Sequence, residues 1–403
     1  METFSSVSVQ EKKVLIYFFG FRHVLGGGEY LPLLLMREFQ KRGCSVTLAV
    51  NWETDMEQVN RTWHMDLDVQ KIKVVYIGPK NKFLWRFDYT RPFYRVRRLK
   101  KLAKDADILI SVSNPFDFGK PAHHFICSLG MSWDSGFKNY IRHIPSPKGF
   151  AFFKKRIRAF LAETFFRPLL GFRSTRKILA DPREHIYPTS NYVDAVMRGY
   201  FGPFTGTVFY PPTLFEAKLK DVKRNPLQIN YIGRIDKAKR IDDVIKIVEL
   251  ARNTTGLDIQ LLLAGDKEHT SYAESIEQTY AEKKWIRFIG RVYGEEKERF
   301  LLSGTYAVHA MREEAFGISI TEYLKAGCIP LVPDEGGTVE IVDSPALTYH
   351  TNEEAASILV KLLRDEDFHK EQLAHCMERA KAFSTEAYFE KQRLLLDKIL
   401  SES

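Results

Sequence analysis

Short apolar runs of strand character alternate with helical patterns along nearly the whole chain. That alternation leaves few folds open: each helix carries the chain back across a sheet, so consecutive strands run parallel and both sheet faces are covered. In the first half, residues 14–19 read as a strand, Leu25-Gly26-Gly27-Gly28-Glu29 as a loop, 30–42 as a helix stopped at Gly43, and 45–50 as the second strand. Further strands are expected at 73–77, 108–112, 124–129, 177–180 and 186–188, and Ser190-Asn191 caps a helix running to residue 197. In the second half, strands near residues 228, 260, 286, 306, 329 and 347 alternate with helices, and 385–400 reads as a final helix. Pro203 and Pro211-Pro212 punctuate the crossing between the halves. At 403 residues the chain exceeds the usual reach of one core. The expected class is α/β, with two Rossmann-like domains.

Two polar clusters in the second half point to chemistry. Glu314-Ala315-Phe316-Gly317-Ile318-Ser319-Ile320-Thr321-Glu322 sets two carboxylates eight residues apart around a Phe-Gly step, directly before a helical run. Gly317 lets the backbone turn tightly, and the N–H groups that open the helix make a ready anion site. Glu314 then stands before the helix and Glu322 about one turn inside it. Both suit a ligand that is anionic at its middle and hydroxylated at its ends. A plainer account makes Glu314 a complement to the helix dipole and Glu322 a solvated helix residue. Upstream, Gly233-Arg234-Ile235-Asp236-Lys237-Ala238-Lys239-Arg240 follows the strand-like run 227–232, placing cations where open α/β sheets bind ligands. Arg234 offers a planar fork and Lys239 a point charge, which together can hold and neutralise a diphosphate.

These segments resemble the retaining glycosyltransferases of family four, with their Gly-Arg…Lys motif and their Glu-x7-Glu motif. Gly265-Asp266, Phe288-Ile289-Gly290 and Gly336-Gly337-Thr338-Val339-Glu340 fall in the family's order, so the likeness covers residues 227–345 almost continuously. The resemblance implies the GT-B fold: an acceptor-binding Rossmann-like domain at 1–205, a nucleotide-sugar-binding one at 206–384 facing it across a cleft, and a helix at 385–403 crossing back. It implies that Arg234 and Lys239 bind the donor diphosphate, Glu314 the donor sugar and Glu322 the ribose. Glu314, Arg234 and Lys239 are thus the catalytic set. Gly27, Gly28, Gly265, Arg291, Val292, Phe316, Gly317, Ile318 and Ser319 complete the donor site. Segments 308–318, 209–212 and 26–29 are further similar to mannosyltransferases that extend lipid-linked oligosaccharides, which implies GDP-mannose; other relatives use UDP-sugars. Two departures stand out. Arg240 occupies a place where the family usually has Gly, and Gly130 one where many members carry an acceptor-side His. His123 and His124 are the alternative acceptor contacts, although adjacent strand residues point to opposite faces, so at most one faces a cleft.

The resemblance also implies a metal-independent reaction, in which Arg234, Lys239 and a helix N-terminus do the work that a Mg²⁺ cluster does elsewhere. No cofactor is expected. The sequence argues against a nicotinamide enzyme, because Gly26-Gly27-Gly28 lacks the third dinucleotide glycine and Val50-Asn51-Trp52 puts no acid after the second strand. Cys44, Cys127, Cys328 and Cys376 lie far apart, without zinc spacing, and are expected as reduced thiols.

The net charge of +9 is unevenly spread: residues 1–200 carry 33 Lys and Arg against 18 Asp and Glu, while 201–403 carry 27 against 33. Residues 150–167 and 83–101 interleave aromatics with cations, which fits either a helix lying on an anionic membrane surface or an apolar stripe facing the protein's own core. No nucleic-acid-binding signature accompanies them. The polar start and the lack of 18 consecutive apolar residues suggest a cytoplasmic protein, peripheral at most. The resulting expectation is a retaining transfer of a hexose-type sugar from GDP-mannose or a UDP-sugar to a lipid-linked or cell-surface glycan acceptor. A nucleotide-sugar epimerase of GT-B fold and a non-catalytic nucleotide-sugar-binding subunit are the alternatives.

Overall fold

The structure is a computed structural model that describes residues 11–21, 27–78, 90–129, 171–266 and 271–403. The 150–167 stretch, residues 83–89 and Gly130 lie outside the described residues. Contacts divide the chain into two units, Met1–Pro211 with Gln392–Ser403, and Pro212–Lys391.

The first unit is a sheet of β1 (Lys13–Tyr17), β2 (Ser45–Val50), β3 (Ile72–Tyr76), β4 (Ile108–Val112), β5 (His123–Ile126) and β6 (His185–Pro188). Its order is β3-β2-β1-β4-β5-β6, and every pairing is parallel. Strands β1 and β4 are apolar and buried apart from Lys13 and the buried Ser111, because helices cover both faces. Helix α1 (Tyr30–Lys41) buries Leu31, Leu33, Leu34, Leu35, Met36 and Phe39, each contributing about 1.5–3 kcal/mol against the entropy of ordering. Helix α2 (Thr90–Ala103) packs Leu99 and Ala103 into the core beside Leu109, Phe116 and Phe118.

One expectation fails. Residues 177–180 form no strand; they belong to helix α3 (Thr175–Leu179) and its end, capped by Ser174, whose hydroxyl accepts from the Lys177 amide. The run is too short for its apolar period to distinguish strand from helix, and the cap decides. Helix α4 (Asn191–Phe201) starts at the expected Ser190 cap and runs a turn beyond residue 197, to a Gly202 at φ 90°.

The second unit repeats the topology. Strands β7 (Asn225–Ile232), β8 (Gln260–Ala264), β9 (Ile286–Gly290), β10 (Gly304–Val308), β11 (Ile329–Pro333) and β12 (Thr348–Tyr349) lie in the order β12-β11-β10-β7-β8-β9, again parallel. Counted from β7, this is the doubly wound order of the first unit. Its switch point falls between β7 and β10, where the helices that follow leave on opposite faces and open a crevice at the strands' carboxyl ends. Helices α5 (Ile241–Thr255), α6 (Gly294–Ser303), α7 (Ile318–Lys325) and α8 (Thr338–Val342) flank that edge.

The last helix, α9 (Thr385–Glu402), begins in the second unit, where Glu216 accepts from the amide and hydroxyl of Thr385 at 3.2 and 2.6 Å. It ends in the first, where Arg42 pairs with Asp397 at 3.2 Å and Lys12 donates to the Leu400 carbonyl.

Candidate active site

The loop after β7 is built to present cations. Asp236 accepts from the Lys239 amide at 3.0 Å and so winds residues 237–239 into one tight turn. The same carboxylate holds the Arg234 guanidinium at 3.1 Å, with half of that side chain left in solvent. Gly265, after β8, has to be glycine: a Cβ there would lie 1.7 Å from the Gly233 carbonyl oxygen. Arg240 closes the turn in the left-handed region at φ 53°, a conformation that glycine takes without strain. Its side chain reaches back to Asp243 in the first turn of α5.

The loop after β10 faces this one across the switch point. Glu313 takes φ 54° and Gly317 φ 107°, and between them the chain lies flat on Gly336-Gly337. The Gly337 amide donates to the Glu314 carbonyl at 2.7 Å; a Cβ on Gly337 would stand 2.5 Å from Ala315 O, and one on Gly336 2.8 Å from Glu314 N. This close approach explains the paired glycines. It also fixes the backbone from which the Glu314 carboxylate projects.

That carboxylate gathers the site's charge. Its Oε2 accepts from Lys239 Nζ, and His309 Nε2 stands 3.5 Å from the same oxygen. Burial alone raises the Glu314 carboxyl, but Lys239, His309 and Arg234 outweigh it and hold the group below the usual range, so it is ionised at neutral pH. His309 is pushed down to about 4, first by burial, with Glu314 acting against that shift and Lys239 with it; it is neutral at pH 7.

Ile318 and Ser319 occupy the first turn of α7, where backbone N–H groups lack helical partners. Phe316 turns its ring inward against Phe383, centroids 6.1 Å apart, which leaves its main chain to the loop. Glu322 is not the solvated residue of the plainer account. It is 7 % exposed and accepts from Lys297 Nζ of α6 at 2.6 Å. Arg291 pairs with Asp266 beyond Gly265, while the Val292 side chain is buried. Arg234, Lys239, Gly265, Glu314, Phe316, Gly317, Ile318, Ser319 and Glu322 therefore share the carboxyl edge of one sheet, with Arg291 and Val292 just after β9. His309 and Lys297 were absent from the expected set. Lys297 bonds its carboxylate from 25 positions away and His309 faces Glu314 from 5 positions away, and no motif signalled either.

Gly27 and Gly28 belong to the first unit, in a short turn that opens α1; a Cβ on Gly28 would meet nothing within 4 Å, so no protein contact demands that glycine. His123 and His124 also lie in the first unit, and they do face opposite ways. His124 is fully buried: one ring nitrogen meets Glu184 Oε2 at 2.9 Å and the other accepts from the Phe116 amide at 3.4 Å. With both nitrogens taken up inside the unit, the expected acceptor contact at His124 is corrected to a structural role. Arg173 joins the same network, bridging Glu184 at 2.7 Å and Asp117 at 3.1 Å, and Lys100 adds 2.8 Å to Asp117. His123 stacks on His185 and bonds the Tyr187 hydroxyl at 3.0 Å; burial, with the neighbouring histidines, pushes it down to about 3.

The cations after β7, the carboxylate after β10 and the glycine packing between their loops coincide with a family match. Residues 215–383, within the second unit, match the family described as Glycosyl transferases group 1. That match covers most of the second unit, and the chain has the GT-B fold. The chain is 26 % identical over 163 residues to the GDP-Man:Man(3)GlcNAc(2)-PP-Dol alpha-1,2-mannosyltransferase of Eremothecium gossypii, a match that spans 37 % of this chain and 27 % of that relative's length. Among solved structures, Anabaena HepE in complex with UDP and glucose superposes with a TM-score of 0.66 at 13 % identity, over 96 % of this chain and 100 % of that one. WaaG, a glycosyltransferase of lipopolysaccharide biosynthesis, gives a TM-score of 0.66 at 13 % identity over 94 % and 98 %.

Among the described residues no group of three His, Cys, Asp or Glu side chains is placed to hold a metal ion, and no helix is long and apolar enough to cross a membrane. Two Asp-x-Asp spacings occur in the first unit; Asp68 of one pairs with Lys71, and Asp107 of the other accepts from the Lys13 amide. All four cysteines are free.

Proposed function

We propose that this protein is a glycosyltransferase that moves a hexose-type sugar, with retention, from GDP-mannose or a UDP-sugar to a lipid-linked or cell-surface glycan acceptor, without a metal ion. One observation carries the assignment of roles: Arg234 and Lys239 leave the end of β7 and Glu314 the end of β10, the strands that flank the switch point, and Lys239 meets Glu314 there. Cations and a carboxylate converging on one such crevice suit a donor with a diphosphate and a hydroxylated sugar. The relatives supply the donor classes, since one is a GDP-mannose enzyme by its description and another was solved with UDP and glucose.

Arg234 and Lys239 take the diphosphate, with the amides of Ile318 and Ser319 adding neutral donors to it. As the sugar C1–O bond breaks, charge grows on the leaving phosphate oxygen, and these fixed positive groups stabilise it more in the transition state than before. The acceptor hydroxyl attacks C1 from the face the phosphate leaves, and its proton passes to the departing phosphate oxygen. Glu314 orients the sugar through its hydroxyls. Glu322, held by Lys297, meets the ribose. The basic first unit suits an anionic acceptor or membrane surface.

The test is a panel of GDP, UDP, GDP-mannose, UDP-glucose and NAD scored by thermal shift, followed by the anomeric configuration of the product. One nucleotide family should stabilise the protein, by about 2.7 kcal/mol at 100 times Kd. Stabilisation by NAD alone, or an inverted product, would overturn the assignment.

A further inference from the structure

We infer that His309 is a positioning residue, which holds the Glu314 carboxylate in place when a diphosphate draws Lys239 away. The inference rests on the donor-site reading above. Glu314 Oε2 is shared between Lys239 Nζ and His309 Nε2. A bound diphosphate carries more charge than a carboxylate and competes for the same ammonium, so Lys239 cannot serve both fully. His309 is what remains on that oxygen.

The histidine is placed for this task by its backbone. It follows β10 directly; its amide donates to Leu331 O of β11 at 2.9 Å, and its carbonyl accepts from the Tyr349 hydroxyl of β12 at 2.5 Å. Two strands thus pin the residue. Its side chain is 5 % exposed, and Nε2 has no hydrogen-bond partner at the present separation. A buried ring nitrogen left so is costly, and the nearest group able to satisfy it is Glu314, 0.3 Å or so beyond an ordinary bond. The titratable and charged groups facing it are Glu314 and Lys239. Because the ring stays neutral at pH 7, it offers Nε2–H as a donor without adding a second positive charge beside the sugar.

Three variants separate positioning from packing. Gln carries an amide N–H at nearly the reach of Nε2, Asn carries one at the reach of Nδ1, and Leu carries none. Titrating each folded variant calorimetrically with the preferred nucleoside diphosphate, GDP or UDP, and with its sugar nucleotide, GDP-mannose or UDP-glucose, gives the sugar's own contribution as a ratio of Kd values. His309→Leu and His309→Asn should lose that contribution about 5- to 10-fold, with diphosphate affinity kept within twofold. His309→Gln should restore it. The acid limb of sugar-nucleotide binding should move up by about one pH unit in Leu and Asn and return in Gln, because the lost bond favoured the ionised carboxylate. If Leu does not fold, the Gln and Asn pair alone decides. Equal behaviour of Gln and Asn, or parallel losses for both ligands, overturns the role and leaves the donor site standing. Wild-type protein that binds neither nucleotide overturns the donor site itself.

Discussion

At the scale of single residues, charge and backbone strain make separate predictions. Removing the Arg234 or Lys239 charge deletes charge-assisted bonds to the diphosphate, each worth about 1.5–3 kcal/mol, so Arg234→Ala and Lys239→Ala should weaken nucleotide binding roughly 10- to 100-fold by calorimetry. Glu314→Gln keeps the shape and loses the charge; it should bind nucleoside diphosphate nearly as wild type does and retain under about a hundredth of the turnover. Unchanged turnover in all three would remove them from the site. Arg240 gives the opposite kind of test. Its φ of 53° costs a non-glycine residue about 1 kcal/mol, while its partly exposed pair with Asp243 returns less. Arg240→Gly should therefore melt at or slightly above the wild-type temperature without changing nucleotide affinity, and a clear loss of affinity would make Arg240 a phosphate ligand. Glu314, Arg234 and Lys239 were legible in the sequence because each follows an apolar strand and sits beside a turn-forming residue. Lys297 and His309 were not: Lys297 reaches Glu322 from another element, and His309, on the same connection as Glu314, is turned toward it only by the folded loop.

At the scale of elements, the two loops of the site are held by backbone packing and the first unit by a buried charge network. Gly337→Ala would set a methyl 2.5 Å from Ala315 O, in a place where only backbone can yield. It should displace the Glu314 loop and lower sugar-nucleotide affinity along with the melting temperature, whereas Gly28→Ala, which meets nothing, should not change stability by more than about 0.5 kcal/mol. Glu184 is the keystone of the network, fully buried against His124 and Arg173. Glu184→Ala strips His124 Nε2 of its buried partner and leaves Arg173 to its aspartates, and it should cost about 3–5 kcal/mol by chemical denaturation; a loss under 1 kcal/mol would mean that the network contributes little. Elements were readable where period and cap agree, as at Ser190 and α4. Residues 177–180 misled because a few apolar residues fit either period, and only the Ser174 bond to Lys177 resolves them.

At the scale of the whole molecule, acid acts on both units in the same direction. His309 at about 4 and His123 at about 3 lie below the unfolded value near 6.5. Between these limits the unfolded chain binds more protons, so stability rises with pH, by up to about 1.4 kcal/mol per unit for each histidine, and levels off above 6.5. Glu314, whose folded value is lowered, adds in the same sense: its contribution is present above pH 4.5 and is lost as pH falls through its folded value. Denaturation midpoints that stay flat from pH 4.5 to 6.5 would contradict this. The doubled topology was legible because alternation of strand and helix is a property of the whole chain. The partner of the basic half was not, because the interleaved aromatics and cations of residues 150–167 fit a core-facing stripe as well as a membrane surface.

The most direct test of the donor site is a parallel calorimetric titration of wild type and Lys239→Ala with GDP, GDP-mannose, UDP and UDP-glucose. One nucleotide family should bind wild type with a Kd on the order of micromolar and bind the variant at least about 10-fold more weakly. Equal affinity in both proteins, or no binding to wild type, would contradict the assignment of Arg234, Lys239 and Glu314 to a sugar-nucleotide site.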